Sequence, residues 1–507
     1  MSFNVLNTLF ARKSKSQIFA KNSALESIQS LATRYASHSM KSALKRNFKV
    51  RLEKSEILPN GKPTMLYIHI PFCHTFCPYC SFHKYLYDEN LARAYFHALR
   101  SEIQIIKSKG FDFTTVVVGG GTTLINEGEL LATLELCKRL FSIRQISCES
   151  DPTHIKPAQL KRFSGLITRL SCGVQSFDDS ILRKIGRYEK FGSSAELQER
   201  LAKAQGILPI LSIDLIFNFP NQSREQLLSD LRIAKSIGTE QITTYPLMRS
   251  NLTESKIATA LGVNASDNER AFYELICAEF RQYKRNNAWG FAKKTGGYSN
   301  DSSGAESVQR ENLISPQSTL SDEYVSSHHQ YLGAGSGAFS FINGKLFINA
   351  FNLQDYCDGI MQGGNANMAN AEFSRRDILR YVFLCELFSG GLSVNEFNAN
   401  MECDLERELA LELAGLKACG AIRTRLSQNL DSQKRVKHIE CSEFGRYICV
   451  VLMKEFYAGM DLVRATFRNE ARLESMAKQK IIDIMREAKD SVKEAKEGAK
   501  EQLESKA

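Results

Sequence analysis

The segment Tyr67-Ile-His-Ile-Pro-Phe-Cys73-His-Thr-Phe-Cys77-Pro-Tyr-Cys80-Ser-Phe82 joins a short apolar run to three closely spaced cysteines. The spacing C-x3-C-x2-C lets three thiolates meet at one metal centre and leaves one position of that centre without a protein ligand. A centre with a free position can bind a small molecule. The segment therefore predicts a reactive site that directly follows a strand.

From this segment onward, short strand-like runs alternate with helical segments. The strand candidates are 65–70, 114–118, 145–149, 167–173, 210–217 and 240–246, and the helix candidates are 89–109, 127–141, 156–163, 178–186, 194–206 and 223–237. Such alternation is typical of βα units around a parallel sheet. Six units are too few for a closed eight-stranded barrel, so we predict an α/β fold with a partial, open (β/α)6 barrel.

The chain of 507 residues is long enough for several domains. We expect a basic N-terminal extension (1–60), a core barrel (61–250), a barrel-completing and linker region (251–370), a small, mostly helical domain (371–465) and a charged helical tail (466–507). A Ser/Asn-rich stretch at 295–323 predicts a loop or linker. The Lys/Glu/Ala-rich tail predicts a solvated helix or a helix that binds a partner.

Composition limits the classes of function. The chain has 66 basic and 56 acidic residues, and part of the excess lies in the first 50 positions, so no nucleic-acid partner is indicated. No apolar run is long enough to span a membrane. Ten of the 13 cysteines are scattered, which predicts reduced thiols and a cytoplasmic protein, although the basic, Ser-rich N-terminus also fits an organelle transit peptide.

The chemistry of the three clustered cysteines leaves three alternatives open. A zinc site needs a fourth ligand, which His69, His74 or His83 could supply. Three cysteines on one loop also fit a [4Fe–4S] cluster in which one iron has no protein ligand. The third alternative is a set of reduced structural thiols.

Distinctive residues follow the other predicted strands. Gly119-Gly120-Gly121-Thr122 permits close backbone approach, or it forms a plain tight turn. Glu149 ends the third strand, where an acid either binds a ligand or caps the next helix. Asp214 lies inside an apolar strand, and a buried carboxylate requires a partner. His69 alternates onto the same strand face as Tyr67 and is a supporting candidate only.

Two family resemblances follow from these motifs. The cysteine motif, with Tyr79 before its last cysteine, resembles the radical S-adenosylmethionine superfamily. Its flank, Tyr67 to Cys73, resembles the oxygen-independent coproporphyrinogen III oxidase family, which includes heme-chaperone-like proteins. The resemblance runs along residues 65–247 and more weakly through 331–356 and 380–460.

The resemblance implies two cofactors. Cys73, Cys77 and Cys80 would ligate a [4Fe–4S] cluster, and S-adenosylmethionine would bind its open iron. Reduction of the cluster would cleave this cosubstrate to a 5′-deoxyadenosyl radical, which abstracts hydrogen from the substrate. A flavodoxin- or ferredoxin-type protein is the electron donor by analogy.

The resemblance also implies contacts to S-adenosylmethionine. The matching positions are Tyr67, Tyr79, Gly120, Gly121, Thr122, Glu149, Gln175, Arg187 and Asp214. The acid of the third strand would hold the methionine ammonium or the ribose, and the acid of the fifth strand would hold the ribose hydroxyls. Thr123 replaces a usual proline, which predicts a looser turn. Asn218 and Phe219 replace the usual Gly and Leu, which predicts a different loop geometry.

The sequence matches neither of the two better-known branches of the family fully. Phe82 stands where the oxidases have a further cysteine and bind a second S-adenosylmethionine. The His-Asn-x-x-Tyr-Trp motif of the chaperone branch is absent, while His328 and His329 are candidate heme ligands or plain loop histidines. We predict hydrogen abstraction from a tetrapyrrole-like substrate of porphyrin or heme metabolism. The alternatives are a heme-binding or trafficking protein with a regulatory or structural cluster, and an anaerobic heme-degrading radical methyltransferase.

Overall fold

A computed structural model describes residues 25–45, 50–62, 64–250, 252–263, 267–294, 330–428, 435–465 and 467. The chain forms two compact units, residues 1–461 and 462–507, and the site described below lies in the first. Within the described ranges, no helix combines the length and the apolar character that a membrane crossing requires.

The strands and helices are named here in chain order. The strands are β1 (Met65–Ile70), β2 (Phe72–Cys73), β3 (Tyr85–Leu86), β4 (Thr115–Gly120), β5 (Gln145–Ser150), β6 (Arg169–Gln175), β7 (Ile210–Phe217), β8 (Gln241–Pro246), β9 (Lys284–Arg285), β10 (Gly290–Ala292), β11 (Tyr331–Ala334), β12 (Phe339–Ile342), β13 (Lys345–Asn349), β14 (Asn367–Glu372), β15 (Gly391–Ser393), β16 (Ile422–Gln428) and β17 (Arg435–Cys441). The helices are α1 (25–45), α2 (Glu89–Ser108), α3 (Glu127–Leu140), α4 (Pro157–Arg162), α5 (Asp179–Lys184), α6 (Tyr188–Phe191), α7 (Ser194–Ala204), α8 (Arg224–Ile237), α9 (Glu254–Leu261), α10 (Glu269–Glu279), α11 (Leu353–Gly363), α12 (Arg375–Phe388), α13 (Val394–Met401), α14 (Leu405–Glu408), α15 (Ala410–Ala418) and α16, which begins at residue 443.

The functional strands lie in one mixed sheet with the order β14-β13-β12-β11-β1-β4-β5-β6-β7-β8-β10-β9. Its central strands, from β1 through β4 to β8, pair in parallel with their neighbours. These are the six predicted βα units, and the bounds of their strands and helices agree with the prediction to within two residues. Because the strands are parallel, their carboxyl ends meet at one edge of the sheet.

The hydrophobic pattern of each element explains its position in the sheet. All six residues of β1 are buried, as expected for a strand with parallel neighbours on both sides and helices over its faces. The helices that cover the sheet begin at local capping signals. The Ser193 hydroxyl accepts from the Glu196 amide while Glu196 reaches back to Ser193, and Ser223 and Gln226 form the same capping box at α8.

The sheet extends beyond the six predicted units at both edges. Strand β11 pairs in parallel with β1, placing Met65 opposite Tyr331, and β12 to β14 follow in antiparallel order. At the other edge, the hairpin of β9 and β10 pairs with β8. Helix α10 ends at Glu279, and β9 begins five residues later at Lys284. The two outermost strands, β14 and β9, are not neighbours, so the sheet is open as predicted.

The C-terminal part of the first unit is mostly helical, as predicted, but it also contains a sheet with the order β15-β17-β16. In β17, the buried Ile439 and Cys441 alternate with Glu440, which pairs with Arg423 and Arg425 on β16. This alternation with period two is the strand signal that the sequence prediction missed.

Several predictions concern residues outside the described ranges. The loop at 295–323, His328 and His329, and nearly all of the tail at 466–507 belong to this group. The domain boundaries expected at residues 60, 250, 370 and 465 also remain predictions.

Candidate functional site

The three clustered cysteines lie on one loop at the carboxyl end of β1. The loop is held at its base, where β2 and β3 pair in parallel and the Tyr87 amide donates to the Cys73 carbonyl at 3.0 Å. All three thiols are free and partly exposed. Burial raises the pKa of Cys73, and the charge of the nearby Cys80 raises it further. A cationic centre between the thiols would reverse this effect, because a bound metal stabilises thiolates.

Arg187 connects the cysteine loop with the end of β6. Its Nη1 lies 3.5 Å from Cys77 Sγ and 3.1 Å from the Tyr79 hydroxyl, and its Nη2 donates to the Gly173 carbonyl. The guanidinium also stacks on the Phe191 ring, with its central carbon 4.3 Å from the ring centre. A buried cation that is only 5% exposed therefore lies directly beside the predicted metal loop.

The charge on Arg187 is stable in this position. Burial alone would lower its pKa, but Tyr79, Cys77 and Asp151 around it raise the pKa above the ordinary arginine value. Its Nε is buried and has no hydrogen-bond partner in the described part of the chain. A buried donor without a partner indicates room for an additional acceptor, such as a carboxylate of a bound molecule.

The glycine turn after β4 packs against the start of the cysteine loop. A Cβ on Gly121 would lie 2.4 Å from the Phe72 carbonyl oxygen, so only glycine permits this approach. The amides of Gly121 and Thr122 donate to the carbonyls of Ile70 and Phe72, each at 2.7 Å. These two amides are therefore used within the protein. The turn therefore provides the close backbone approach that the sequence predicts, while these two N–H groups are not available to a ligand.

Thr123 departs from the family pattern without loosening this turn. Its hydroxyl donates to the Glu149 carbonyl, and its side chain is fully buried. The bond ties the glycine turn to the neighbouring strand β5. The looser turn predicted from the missing proline is therefore wrong, because a side-chain hydrogen bond holds the turn instead.

Glu149 lies beside the glycine turn and Tyr67. A Cβ on Gly119 would lie 2.9 Å from Glu149 Oε2 and 3.2 Å from the ring of Tyr67, so both side chains flank this glycine. The acid that caps the next helical turn is Asp151, whose Oδ1 accepts from the Thr153 amide at 2.9 Å. Helix capping, the alternative role considered for Glu149, is thus performed by Asp151.

Tyr67 and His69 form the predicted pair on one face of β1. The Tyr67 hydroxyl lies 3.0 Å from His69 Nδ1, and His69 Nε2 lies 2.9 Å from the His83 carbonyl. His83 Nε2 in turn lies 3.1 Å from the Ser336 hydroxyl, in the turn after β11. His69 therefore supports Tyr67 and links the cysteine loop to the closing part of the sheet.

Asp214 has the partners that its burial demanded. The Ser171 hydroxyl donates to the carboxylate, with distances of 2.6 and 2.8 Å to the two oxygens, and Ser212 lies 3.5 Å from one of them. Arg169 Nη2 donates to Ser171 at 3.1 Å. Burial raises the pKa of Asp214, while Arg169 and the two serines lower it. The sequence analysis missed Arg169 and Ser171. Both lie on one face of β6, the strand that pairs with the strand of Asp214.

Gln175 and Arg187, predicted as a pair, meet at Gly173. A Cβ on Gly173 would lie 2.7 Å from Gln175 Nε2, and Arg187 donates to the Gly173 carbonyl. Gln175 ends β6 after a register shift and has a φ of +77°, which a residue with a side chain rarely adopts. The backbone here is therefore strained beside the predicted cofactor residues.

Asn218 shows how one departure from the family pattern is accommodated. Its φ of +66° lies in the left-handed region, which glycine adopts without strain and which asparagine tolerates better than most residues. Its amide donates to Gln222 Oε1 at 2.9 Å. The different loop geometry expected from Asn218 and Phe219 stays a prediction.

A charge pair that the sequence analysis missed lies between the cysteine loop and β5. The Thr122 hydroxyl lies 3.0 Å from Asp151 Oδ2 and 3.9 Å from Cys73 Sγ, and Lys190 Nζ lies 3.6 Å from the same carboxylate oxygen. Burial would raise the pKa of Asp151, but Lys190, His154 and Arg187 lower it overall. The only sequence signal that could have placed Asp151 and Lys190 at the site is that they lie close in sequence to the predicted residues Glu149 and Arg187.

The donor set fits an iron–sulfur cluster and an amino-acid-containing cosubstrate. No group of three or more His, Cys, Asp or Glu side chains in the described ranges is placed to hold one metal ion. A [4Fe–4S] cluster has a different requirement, because its thiolates bind different iron atoms. The cysteine loop, the glycine turn and the unpartnered Arg187 Nε together provide thiolates, close approach and a donor for a carboxylate.

Known proteins share this sequence pattern. Residues 67–234 match the family model described as the Radical SAM superfamily. The heme chaperone HemW of Bacillus subtilis (strain 168) is 30% identical over 314 residues, which cover 59% of this chain and 76% of that protein. The heme chaperone HemW of Lactococcus lactis subsp. lactis is 24% identical over 356 residues, covering 68% and 87%. The oxygen-independent coproporphyrinogen III oxidase of Bradyrhizobium diazoefficiens is 31% identical over 198 residues, covering 37% and 43%.

A solved structure shares the fold. Coproporphyrinogen III oxidase (HemN) from Escherichia coli, described as a radical SAM enzyme, aligns with a TM-score of 0.59 at 21% identity and covers 82% of this chain and 93% of that one. Fold and site thus define a radical SAM protein with an α/β core, as predicted. Within that class, the chain belongs to the family of HemN and HemW. Radical SAM proteins bind a [4Fe–4S] cluster and S-adenosylmethionine, which are the cofactors of this chain.

Proposed function

We propose that Cys73, Cys77 and Cys80 ligate the cluster and that the ends of β4 to β7 hold S-adenosylmethionine. The support is the position of Arg187, which contacts both the cysteine loop and the carbonyl of Gly173 beside Gln175. Its guanidinium thus joins the metal loop to the end of a barrel strand. When bound, the two cofactors supply a 5′-deoxyadenosyl radical that abstracts a hydrogen atom from the substrate.

Each protein group has a defined task in this proposal. Arg187 offers its free Nε to the methionine carboxylate and keeps its other nitrogens on the loop and on Gly173. Glu149, beside the glycine turn, accepts from the methionine ammonium or the ribose. Asp214, oriented by Ser171, accepts from the ribose hydroxyls. Gly120, Gly121 and Thr122 allow the cosubstrate to approach the backbone, while Tyr67 and Tyr79 border the site.

We propose a tetrapyrrole as the substrate class. The cysteine loop exposes three large apolar side chains, Phe76, Phe82 and Leu86, which are 49%, 40% and 60% accessible. Exposed apolar groups around a reactive centre suit a large, flat, apolar ligand. The relatives named as heme chaperones and as a coproporphyrinogen III oxidase support the same class.

Heme binding and transfer without substrate oxidation is the second candidate function. Two of the relatives compared above are named heme chaperones, and their sequences align over 314 and 356 residues, against 198 for the oxidase of Bradyrhizobium diazoefficiens. Phe82 in place of the further cysteine of the oxidases favours the same branch. Heme ligation by His328 or His329, an electron donor of the flavodoxin or ferredoxin type and a cytoplasmic location remain predictions. Nothing in the described site favours the methyltransferase alternative over these two.

An anaerobic assay separates the two candidates. The full chain is reconstituted with iron and sulfide, reduced with dithionite and given S-adenosylmethionine, with coproporphyrinogen III, heme or no substrate. The product 5′-deoxyadenosine is measured over time. An oxidase-like enzyme produces it faster with coproporphyrinogen III. Stoichiometric heme binding without stimulated cleavage would instead support the trafficking function.

The cluster assignment has its own test. Cys77→Ala should lose iron and the visible iron–sulfur absorption, whereas Cys403→Ala, which changes a partly exposed cysteine on the C-terminal side, should keep both. An iron content of the Cys77→Ala variant equal to that of the control would contradict the assignment.

A further inference from the structure

The strained backbone at Gln175 needs support from outside its own strand. The residue ends β6 with a φ of +77°, which is disfavoured for any residue with a Cβ. Such a conformation persists only where surrounding contacts fix it. The residues that directly follow Gln175 should therefore make the contacts that fix its conformation.

One buried carboxylate holds the two residues that follow Gln175. Asp230 of α8 is 1% exposed, and it accepts from the Ser176 hydroxyl at 2.8 Å and from the Phe177 amide at 2.7 Å. The Ser176 hydroxyl also accepts from the Asp178 amide at 3.0 Å. The turn after β6 is thus bonded to a helix that the chain reaches only after another strand.

The same helix holds this turn at a second point. Gln226 Nε2 donates to Asp178 Oδ2 at 3.1 Å, and Asp178 Oδ1 caps α5 by accepting from the amides of Ser180 and Ile181, each at 3.0 Å. Helix α5 ends two residues before Gly186, and Arg187 follows. Helix α8 therefore fixes the connection that carries both Gln175 and Arg187.

A buried carboxylate costs more at this position than packing of the helix alone requires. Isolating a carboxylate from water is unfavourable, and an apolar side chain of similar volume packs a helix at lower cost. Burial raises the pKa of Asp230 to about 7, which reflects that cost. In return, the carboxylate accepts hydrogen bonds from two buried donors beside Gln175, the Ser176 hydroxyl and the Phe177 amide.

We propose that Asp230 is a positioning residue for S-adenosylmethionine binding, acting through the backbone of Gln175. This inference rests on the proposed contact between Gln175 and the cosubstrate. Asp230 touches neither the cosubstrate nor the cluster loop. It holds the turn in the conformation that the proposed contact needs.

The test measures the affinity of the anaerobically reconstituted full chain for S-adenosylmethionine. Asp230→Leu removes both acceptors, Asp230→Asn keeps one, and Gln175→Ala removes the proposed contact. The matched control is Lys235→Met, which breaks the 2.7 Å ion pair to Glu279 from the same helix without touching the turn. Thermal stability and hydrogen exchange of the Phe177 amide are recorded for every variant.

We expect Asp230→Leu to weaken binding on the order of tenfold and to speed exchange of the Phe177 amide, with Asp230→Asn retaining most of the affinity. Lys235→Met should lower the melting temperature alone. In the Gln175→Ala background, Asp230→Leu should add little, because the two residues act through one element. If Asp230→Leu does not fold, the Asp230→Asn variant provides the test. Its Phe177 amide must then exchange hydrogen faster than the same amide in Lys235→Met.

The outcomes distinguish the positioning role of Asp230 from the proposed contact between Gln175 and S-adenosylmethionine. Loss of affinity in Gln175→Ala with wild-type affinity in Asp230→Leu overturns the positioning role alone. Equal loss in Asp230→Leu and Lys235→Met, or a loss that persists undiminished in the Gln175→Ala background, also overturns it. Wild-type affinity in Gln175→Ala overturns the proposed contact and the positioning role together, while cluster content stays unaffected throughout.

Discussion

The Ser171 hydroxyl lies 2.6 and 2.8 Å from the two carboxylate oxygens of Asp214, which share it as their hydrogen-bond donor. Behind it, Arg169 donates to the same hydroxyl at 3.1 Å, so a buried cation stands one hydroxyl away from a buried anion. This arrangement orients the carboxylate and offsets part of the rise that burial causes in the pKa of Asp214, without a direct ion pair. Its free lone pairs remain available to a ligand.

Ser171→Ala should therefore weaken binding of S-adenosylmethionine by about five- to tenfold, since one buried hydrogen bond contributes roughly 1 kcal/mol. Burial raises the pKa of Asp214 and this serine lowers it, so the variant should lose more affinity toward low pH. Ser212→Ala is the matched control, because its hydroxyl lies 3.5 Å from the same carboxylate. Equilibrium dialysis between pH 6 and 8 checks both variants, and equal effects at the two serines would contradict the assignment.

Arg187→Lys should reduce formation of 5′-deoxyadenosine on the order of tenfold or more while the cluster content stays unchanged. Lysine keeps the charge but lacks the planar fork that contacts Cys77, Tyr79 and Gly173 together. Arg183→Lys, at the neighbouring surface position over the Tyr188 ring, is the control. The measurement is product formation per cluster under reducing, anaerobic conditions. Wild-type turnover in Arg187→Lys would rule out a role for the guanidinium geometry.

Gly121→Ala should prevent normal assembly of the cysteine loop. Its Cβ would lie 2.4 Å from the Phe72 carbonyl oxygen, and backbone atoms cannot move aside as a flexible side chain can. We expect reduced iron incorporation and a destabilisation of about 1–3 kcal/mol. Gly415→Ala, which meets no atom within 4 Å inside α15, should be neutral or stabilise the protein by up to about 1 kcal/mol. Iron content and chemical denaturation of both variants provide the comparison.

Asp230 should make unfolding pH-dependent between about pH 4 and 7. Burial raises its pKa from 3.8 to about 7, and the nearby Asp178 adds to the rise, so the folded chain binds more protons than the unfolded one in this window. Its contribution to stability is thus present at low pH and is lost as the pH rises, by up to about 4 kcal/mol for three pKa units. Asp230→Asn should remove that dependence. The difference in unfolding free energy between wild type and variant, measured across this range, should change with this sign.

Local pattern was sufficient to predict the barrel core. The β-branched runs and capped helices between residues 65 and 246 form elements whose identity depends on near neighbours, so periodicity and capping residues located them closely. Strands β9 and β11 to β14 were not predicted, because short strands at sheet edges obtain their stability from partners far along the chain. The hairpin of β16 and β17 was missed because helical segments flank its alternating pattern.

The candidate site divides in the same way. Cys73, Cys77 and Cys80 could be recognised because their spacing carries the chemistry, and Asp214 could be recognised because an acid in an apolar strand is unusual. Arg169, Ser171, Asp151 and Asp230 could not, since each acts through a contact to a distant residue. A buried arginine or serine has no sequence signal that separates it from an exposed one. Such supporting residues become visible only when the strands are placed side by side.

The pairing of β1 with β11 has a consequence for biosynthesis. Strand β1 immediately precedes the cysteine loop, yet its second neighbour in the sheet, with Tyr331 opposite Met65, is synthesised only after most of the first unit. A ribosome-bound chain therefore presents the three thiols and an unpaired apolar strand edge long before the sheet can be completed. The contact of His83 with Ser336, which supports the cysteine loop, therefore forms only after translation has passed β11.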